Sequence, residues 1–553
     1  MRKYLFILIL FLGSHSAHSQ NLNANGNSND NEIQRPKLVV GIVIDQMRWD
    51  YLYRFYNLYK PDGGFKRLLN QGFSCENTMI PYIPTFTACG HTSIYTGSVP
   101  AIDGITGNDW WDYDLGKYAY CTQDDNVKTV GGNTVEGKMS PRNLLVTTIG
   151  DELRLATNFH SKVIGIALKD RAAILPAGHT ANGAYWYDDS TGNWITSSYY
   201  MNDLPGWVKD LNAKKLVDSY YKKNWNTLYP LSAYTQSTPD AEPYEYRPFG
   251  ANVTGFPYDL TQFIGKNYGA IHVVPYGNTF TFDMAKATIT GEKLGSDSAT
   301  DMLTISLSTP DYIGHTFGPN SVEAEDDFLR LDKDIGDFLN FLDKEAGKGN
   351  YLLFLTADHG VANVPAFLKQ HNIPAGNVDD QKITDQLNSL LKDKFRVDNM
   401  VIGILNNQVF LDHNALASAH QADPKKVYDQ IIEFLVKQPG IYRAFALDAL
   451  NDVTLNSTIK ERVTNGYYPS RSGDIQIIFQ PQWIDGFLPG GTTHGVWNPY
   501  DSHIPLIWYG WNIQPGKTTR QVYMTDIAPT IASLLHIQMP GGSVGHIIGE
   551  ISK

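Results

Sequence analysis

The chain has 553 residues, with 45 Lys and Arg against 57 Asp and Glu, a net charge of −12 with His neutral, and only 18% charged residues. No Lys/Arg block stands out, which argues against nucleic acid as the main ligand; an acidic protein that handles phosphate must concentrate positive charge locally, and metal ions are one means. Cys75, Cys89 and Cys121 are the only cysteines and exclude a disulfide framework, since at most one pair and one free thiol are available.

In chain order, "MRKYLFILILFLGSHSAHSQ" comes first. Two cations precede an apolar run from Tyr4 to Leu12, and Ala17 and Ser19 stand at −3 and −1 of a cut before Gln20. This is the pattern of a secretory signal peptide over residues 1–19, too short in its apolar part to span a bilayer. No Cys follows the run, so a lipoprotein reading has no acylation site. Residues 20–35 are Asn-rich, lack aromatics and are expected to be disordered. No later segment offers eighteen unbroken apolar residues, so the mature chain is expected to be soluble, with no membrane partner. Residues 36–553 show no clean linker and no internal repeat. They read as a single domain with insertions at about 180–290 and 370–485.

Several β-branched runs in that domain end in chemically capable residues. "KLVVGIVID" finishes at Asp45, "KVIGIALKDR" at Lys169 and Arg171, "MLTISLSTPD" at Asp311, and "YLLFLTADH" at Asp358 and His359. The runs are near-continuous rather than alternating, as in strands buried on both faces of a parallel sheet. Room remains between them for helices such as "DDFLRLDKDIGDFLNFLDKEA", Asp326 to Ala346. The fold class is therefore α/β, a mainly parallel central sheet flanked by helices. Such sheets bind ligands outside the carboxyl ends of their strands, where these residues fall. Further along, "PKKVYDQIIEFLVKQ" predicts a helix, "DIQIIF" and "HIPLIWYG" predict strands, and "TDIAPTIASLLHI" a closing helix.

"PTFTACGHTSIYTG", Pro84 to Gly97, holds four threonines, a cysteine and a histidine. Ser and Thr crowd turns and helix caps, so the stretch alone leaves open which hydroxyl, if any, does chemistry. "DYIGH" sets Asp311 and His315 four apart, on one face of a helical turn. In "ADHG", Gly360 lets the chain turn so that Asp358 and His359 can converge, and "GGTTHGVWNPY" can bring His494 in from far along the sequence. With Asp45 these make three carboxylates and three imidazoles, enough to hold two Zn²⁺ ions with positions open for substrate. His91 and His179 lie near the same segments but are not assigned as ligands, because either could serve by hydrogen-bonding a loop.

The separated segments "VIDQMRWD", "PTFTACGHTS", "GNDW", "LKDRAAILPAGH", "DYIGH", "ADHG" and "GTTHGVWN" occur in an order that resembles the alkaline phosphatase superfamily. More closely, the chain is similar to the periplasmic phosphate-irrepressible alkaline phosphatases of flavobacteria, which use a Thr nucleophile and a Lys/Arg pair. The resemblance implies that Thr87 is the nucleophile, with Thr85 a possible helix cap, Thr92 deeper in the helix and Cys89 a packing residue. It implies that Asp45, Asp358 and His359 hold the zinc that also contacts Thr87, and that Asp311, His315 and His494 hold the other. Asn108, Lys169 and Arg171 would contact the phosphoryl oxygens, and no third metal is inferred. The implied activity is zinc-dependent hydrolysis of small phosphate monoesters through a phosphothreonine, by a periplasmic monomer. The alternatives are a nucleotide pyrophosphatase/phosphodiesterase with the same two zincs, a sulfatase, whose C-x-P-x-R type motif is missing here, and a non-enzymatic binding protein.

Overall fold

The computed structural model describes residues 33–419, 423–486 and 490–552. The signal-peptide segment lies outside these residues, as does nearly all of the expected disordered one. From Arg35 onward the described residues form one unit.

Its centre is a ten-stranded sheet whose innermost strands are the runs read above. Across the sheet the order is Gly516–Thr518, Phe73–Cys75, Leu506–Gly510, Tyr351–Thr356, Leu38–Ile44, Asp301–Leu307, Val163–Ala167, Gly183–Asp188, Asn193–Ser197 and Thr129–Val130. The five strands from Tyr351–Thr356 to Gly183–Asp188 are mutually parallel. Every residue of Leu38–Ile44, Asp301–Leu307 and Tyr351–Thr356 is buried, which is why their sequences are apolar without alternation. Antiparallel strands extend both sides, Leu506–Gly510 on one and Asn193–Ser197 on the other. The sheet is thus parallel at its heart and mixed at its flanks.

Two groups of helices cover this sheet. One contains Thr87–Thr96, packed against Asp170–Ala177, Ile149–Ala156 and Ile527–Leu535. The other contains Val322–Leu342, packed against Gly64–Gln71 and Tyr276–Glu292. The long helix begins four residues before the expected Asp326, because Ser321 caps it: its side chain accepts the Ala324 N–H at 3.1 Å, and Glu323 and Glu325 favour the positive end of the dipole.

The expected insertion at about 180–290 is corrected at both ends. Gly183–Asp188 and Asn193–Ser197 are strands of the central sheet, and Tyr276–Glu292 packs on its strands Val163–Ala167 and Asp301–Leu307. The aromatic and hydroxyl-rich composition disguised these strands, although Gly183–Asp188 is buried throughout. In the expected insertion at 370–485, Val401–Leu405, Gln408–Leu411, Ile475–Phe479 and Ile441–Ala446 form a separate four-stranded antiparallel sheet. Asp380–Phe395 and Pro424–Leu435 share a second hydrophobic core with it through Leu387, Val427, Ile431 and Ile477.

Register sets the location of the chemistry. Ile44 lies beside Leu307, Val43 beside Thr356, and Ser306 beside Ala167. The parallel strands therefore end together, and the residues that follow them, Asp45, Asp311, Asp358 and Lys169, meet at one edge.

Candidate active site

Thr87 opens the helix Thr87–Thr96 after an extended Phe86 (φ −109°, ψ 157°), and all ten helical residues are buried. A Cβ on Gly90 would stand 2.4 Å from the Asp358 carbonyl oxygen, so the absence of a side chain lets this helix press against the turn carrying Asp358 and His359. The Thr87 hydroxyl lies 3.4 Å from His359 Nε2 and 3.5 Å from Lys169 Nζ. The other hydroxyls are engaged elsewhere. Thr92 and Thr96 each donate back to the carbonyl four residues earlier, Ala88 and Thr92. Thr85 is not the helix cap expected of it: its hydroxyl accepts from Gly495 N–H at 3.1 Å and donates to the Val496 carbonyl at 3.2 Å, fastening the loop that bears His494. Cys89 is fully buried against the Ile105 carbonyl, and burial pushes its thiol well above the usual range.

The six expected ligands fall into two groups, Asp45 with Asp358 and His359, and Asp311 with His315 and His494; in each the ligand atoms all lie within 4.8 Å of one another. The groups adjoin, since the His359 and His494 rings stack at 3.5 Å between centroids. Each imidazole is aimed by its Nδ1. That atom lies 2.8 Å from the Thr492 carbonyl in His315, 3.0 Å from Gly360 in His359, and 2.7 Å from Thr85 in His494. A carbonyl only accepts, so Nδ1 must carry the proton and Nε2 presents its lone pair to the group.

Charge and hydrogen bonding fit cations at both groups. Asp45 Oδ1 and Asp358 Oδ2 are buried and have no hydrogen-bond donor. Lys169 Nζ bridges Asp45 Oδ2 at 2.5 Å and Asp311 Oδ2 at 2.6 Å, but one ammonium does not balance three buried carboxylates. Burial and the Asp358 charge push the Asp45 carboxyl well up, against the pull of Lys169. Burial also opposes ionisation of Asp311, yet His315 and Lys169 overcome it and hold this carboxyl well below its usual range. Burial lowers His359, and lowers His494 further with help from His359 and His315. Burial opposes protonation of His315 too, yet Asp311 and the Thr492 carbonyl raise it; imidazole nitrogens and buried carboxylate oxygens are still the donor set that suits Zn²⁺, and a bound ion would displace that proton.

Beside Thr87, Asn108 Oδ1 accepts the Ala88 N–H at 3.1 Å. Arg171 Nη1 donates to the Tyr120 hydroxyl at 3.1 Å, which in turn donates to Asp170 at 2.7 Å. Arg171 makes no carboxylate ion pair within 4.0 Å among the described residues, and its buried Nε has no acceptor. A cavity of about 320 Å³ lies beside Lys169 and Arg171, walled by Tyr312, Trp186 and His272. A second, of about 280 Å³, opens at His315 and His494 between Phe86 and Tyr246.

Sequence reading missed Gln46 and Asp501 as supports, and it left His91 and His179 as residues that could hydrogen-bond a loop. Gln46 donates from its side chain to Asp311 Oδ1 at 2.6 Å and from its backbone to Asp358 Oδ1 at 3.1 Å, joining the two groups. His91 lies 2.9 Å from the Thr87 carbonyl and 2.8 Å from Ser306 Oγ, beneath the site. Asp501 accepts the backbone N–H groups of Gly495 and Val496, each at 2.9 Å. The His179 ring meets the Val146 carbonyl at 3.1 Å, while its backbone N–H donates to Asp151 and its carbonyl accepts from the Tyr199 hydroxyl. Gln46 has one visible signal, its place directly after Asp45 at a strand end.

A fold with this sheet edge and paired ligand groups defines a class. Residues 39–496 match the family described as type I phosphodiesterase / nucleotide pyrophosphatase, and the chain belongs to that family, within the alkaline phosphatase superfamily. It is 54% identical over 545 residues to alkaline phosphatase PhoV of Synechococcus elongatus, covering 99% of this chain and 98% of that one. It is 50% identical over 523 residues to alkaline phosphatase PafA of Elizabethkingia meningoseptica, covering 94% and 95%. The crystal structure of wild-type PafA matches with a TM-score of 0.92 at 49% identity, over 95% of this chain and 100% of that one.

Proposed function

We propose that this chain is an alkaline phosphatase that hydrolyses small phosphate monoesters to an alcohol and inorganic phosphate through a phosphothreonine at Thr87. The supporting observation is the Thr87 hydroxyl within 3.5 Å of both His359 and Lys169, beside two three-residue groups fit for metal. Asp45, Asp358 and His359, with Thr87, would hold one Zn²⁺, and Asp311, His315 and His494 would hold the other. Two such ions would supply Lewis acidity to the reaction and would ease loss of the Thr87 proton.

Thr87 Oγ, once deprotonated, attacks phosphorus in line. The Oγ–P bond forms as the ester P–O bond breaks, and the departing alkoxide takes up a proton. Water then cleaves the Oγ–P bond, releasing phosphate and restoring the hydroxyl, so two displacements give net retention at phosphorus. Asn108 uses Oδ1 to hold Ala88 and has Nδ2 left to donate to a phosphoryl oxygen. Lys169 and Arg171 offset the charge of the phosphoryl group, Arg171 with a planar fork and Lys169 as a compact charge. The work of these residues is positioning and electrostatics.

The family also contains diesterases, and charge separates the two reactions. A monoester dianion has three non-bridging oxygens for Lys169, Arg171 and Asn108 to meet, whereas a diester has one fewer and needs a wall for its second substituent. The deciding experiment compares kcat/KM for one monoester and one diester with the same leaving group, in zinc-replete enzyme. A faster diester reaction overturns the reading. Export to the periplasm, with a monomeric mature chain beginning near Gln20, completes the proposal. No helix among the described residues is long and apolar enough to cross a membrane. N-terminal sequencing of secreted enzyme tests the cut, and an intact Met1 contradicts it.

A further inference from the structure

Lys169, Asp170 and Arg171 stand together at the start of helix Asp170–Ala177, yet the adjacent acid and base do not pair. Both oxygens of Asp170 are engaged elsewhere: Oδ1 accepts the Tyr120 hydroxyl at 2.7 Å, and Oδ2 accepts the Thr122 hydroxyl. The Tyr120 hydroxyl has a single proton. That proton goes to Asp170, so toward Arg171 the oxygen can only accept, and Nη1 lies 3.1 Å from it. Burial, then the Asp170 charge, push this hydroxyl well above its usual range, so it keeps its proton. Tyr120 is thus interposed between a cation and an anion. Among the described residues Nη1 is the one nitrogen of the Arg171 guanidinium with an acceptor, and Nε is buried without any. The edge left over, Nε with Nη2, has the planar fork that meets two phosphoryl oxygens. A carboxylate in the place of the Tyr120 hydroxyl would cancel the charge that a phosphoryl dianion needs; a phenol fixes the guanidinium and leaves that charge free.

The same short hairpin fixes Asn108. Strand Lys117–Tyr120 pairs antiparallel with Asp109–Asp112, and Asp109 lies beside Tyr120. Cys121 N–H donates to the Asn108 carbonyl at 2.9 Å. Asn143 Nδ2 braces this stretch, donating to the Tyr120 and Cys121 carbonyls at 3.2 and 3.1 Å. The main chain at 120–121 therefore holds Asn108, while the Tyr120 side chain holds Arg171. We propose that Tyr120 is a positioning residue for the phosphoryl group: it sets the Arg171 guanidinium in register with Asn108, so that a monoester dianion meets both at once. The inference rests on the phosphomonoesterase reading above and deepens it, by naming a residue that acts through Arg171 to favour monoesters.

The test is Tyr120→Phe in the full, zinc-loaded chain, a change that keeps the ring and removes the one atom shared by Arg171 and Asp170. Monoester kcat/KM should fall about 5- to 50-fold, in the range of a hydrogen bond to a charged group, and diester kcat/KM should stay within about 3-fold. In an Arg171→Ala background the same change should cost less than ~2-fold, because the hydroxyl then has nothing to hold. Thr122→Val strips the other donor from Asp170 without touching Arg171, and should leave the monoester-to-diester ratio unchanged. Losses that fall equally on both esters and persist without Arg171 would mark general damage and overturn the proposal. Crystal structures with inorganic phosphate give a readout independent of turnover. Wild type should show Nη1 on Tyr120 with Nε and Nη2 on the phosphate, and Tyr120→Phe should show the guanidinium turned from that pose. A guanidinium that keeps its place in the variant, or that leaves Tyr120 in the wild-type complex, overturns the proposal. The wild-type complex decides even if the variant does not fold. A guanidinium that moves while the ester ratio stays constant upholds the positioning and counts instead against Arg171 as the monoester selector, so the two failures are told apart.

Discussion

The two ligand groups at the sheet edge differ in how they meet solvent. Asp45, Asp358 and His359 have side chains with no exposure at all, whereas His315 keeps 33% of its side chain exposed and borders the cavity between Phe86 and Tyr246. The inner group grows directly from the ends of the two central strands Leu38–Ile44 and Tyr351–Thr356. The outer one draws on a helical turn and a distant loop, with His494 held through Thr85. An inner group fixed by the core suits the side on which Thr87 must sit still. An outer group reached from solvent suits the side from which a leaving alcohol departs and water arrives. Rigidity and access are thus divided between two halves of one site.

Metal removal tests this division with the largest expected effect. Exhaustive chelation should abolish phosphomonoester turnover and Zn²⁺ should restore it. Limited chelation should remove about one equivalent quickly, from the outer group, and the second slowly. Elemental analysis against time checks this; two ions leaving at one rate would break the inner–outer distinction, and well under two per active chain would sink the two-ion reading.

Thr87→Ala comes next and probes the inner group alone. Loss of at least ~10²-fold in turnover is expected, the order seen when a major transition-state interaction goes, with zinc content and Tm almost unchanged. Thr87→Ser should keep measurable activity. Full turnover in Thr87→Ala, or phosphate trapped at low pH on another residue, would move the nucleophile elsewhere.

Lys169 bridges the two groups and Arg171 lines the cavity beside it, and their removal asks which ester the site is built for. Lys169→Ala or Arg171→Ala should lower monoester kcat/KM by about 10 to 10³-fold, on a scale where each ~1.4 kcal/mol is tenfold. Diester hydrolysis should fall much less, because a monoanion needs less compensating charge. Equal losses on the two substrates would favour the diesterase.

The inner group and the sheet were legible in the sequence because each strand run ended in its functional residue, as "KLVVGIVID" does at Asp45. The outer group was legible only in part. "DYIGH" carries its own helical spacing, but nothing local ties His494 to Asp311, and the resemblance supplied that link. The helix cap that the sequence left possible at Thr85 is not what forms; its hydroxyl serves a loop over 400 positions away, a contact no local pattern signals. Strand Gly183–Asp188 was missed because its Tyr and Trp side chains are buried against helices, a tertiary fact that composition does not reveal.

The smallest expected effect belongs to Gln46, the residue that couples the two groups. Its amide donates to Asp311 in the outer group while its backbone donates to Asp358 in the inner one. The side chain lies against Gly314 of "DYIGH": a Cβ there would stand 1.9 Å from Gln46 Oε1, so glycine at 314 makes the contact possible. Gln46 also has φ 67°, a left-handed conformation that glycine adopts without strain and most residues avoid. Gln46→Gly is therefore the informative variant, because it removes the amide while easing the backbone; Gln46→Ala would mix the two effects. As a positioning residue that orients ligands, Gln46 should matter for metal retention by about 10 to 100-fold, the range for groups hydrogen-bonded to metal ligands. The loss should concentrate on the outer ion, since the Asp358 contact is backbone and survives. Competition with a chromogenic chelator measures the two affinities, and kcat at saturating Zn²⁺ shows whether the filled site still works. Gln46→Gly should weaken outer zinc and leave kcat within a few-fold of wild type. Unchanged affinity for both ions would show that the groups are organised independently, each by its own backbone.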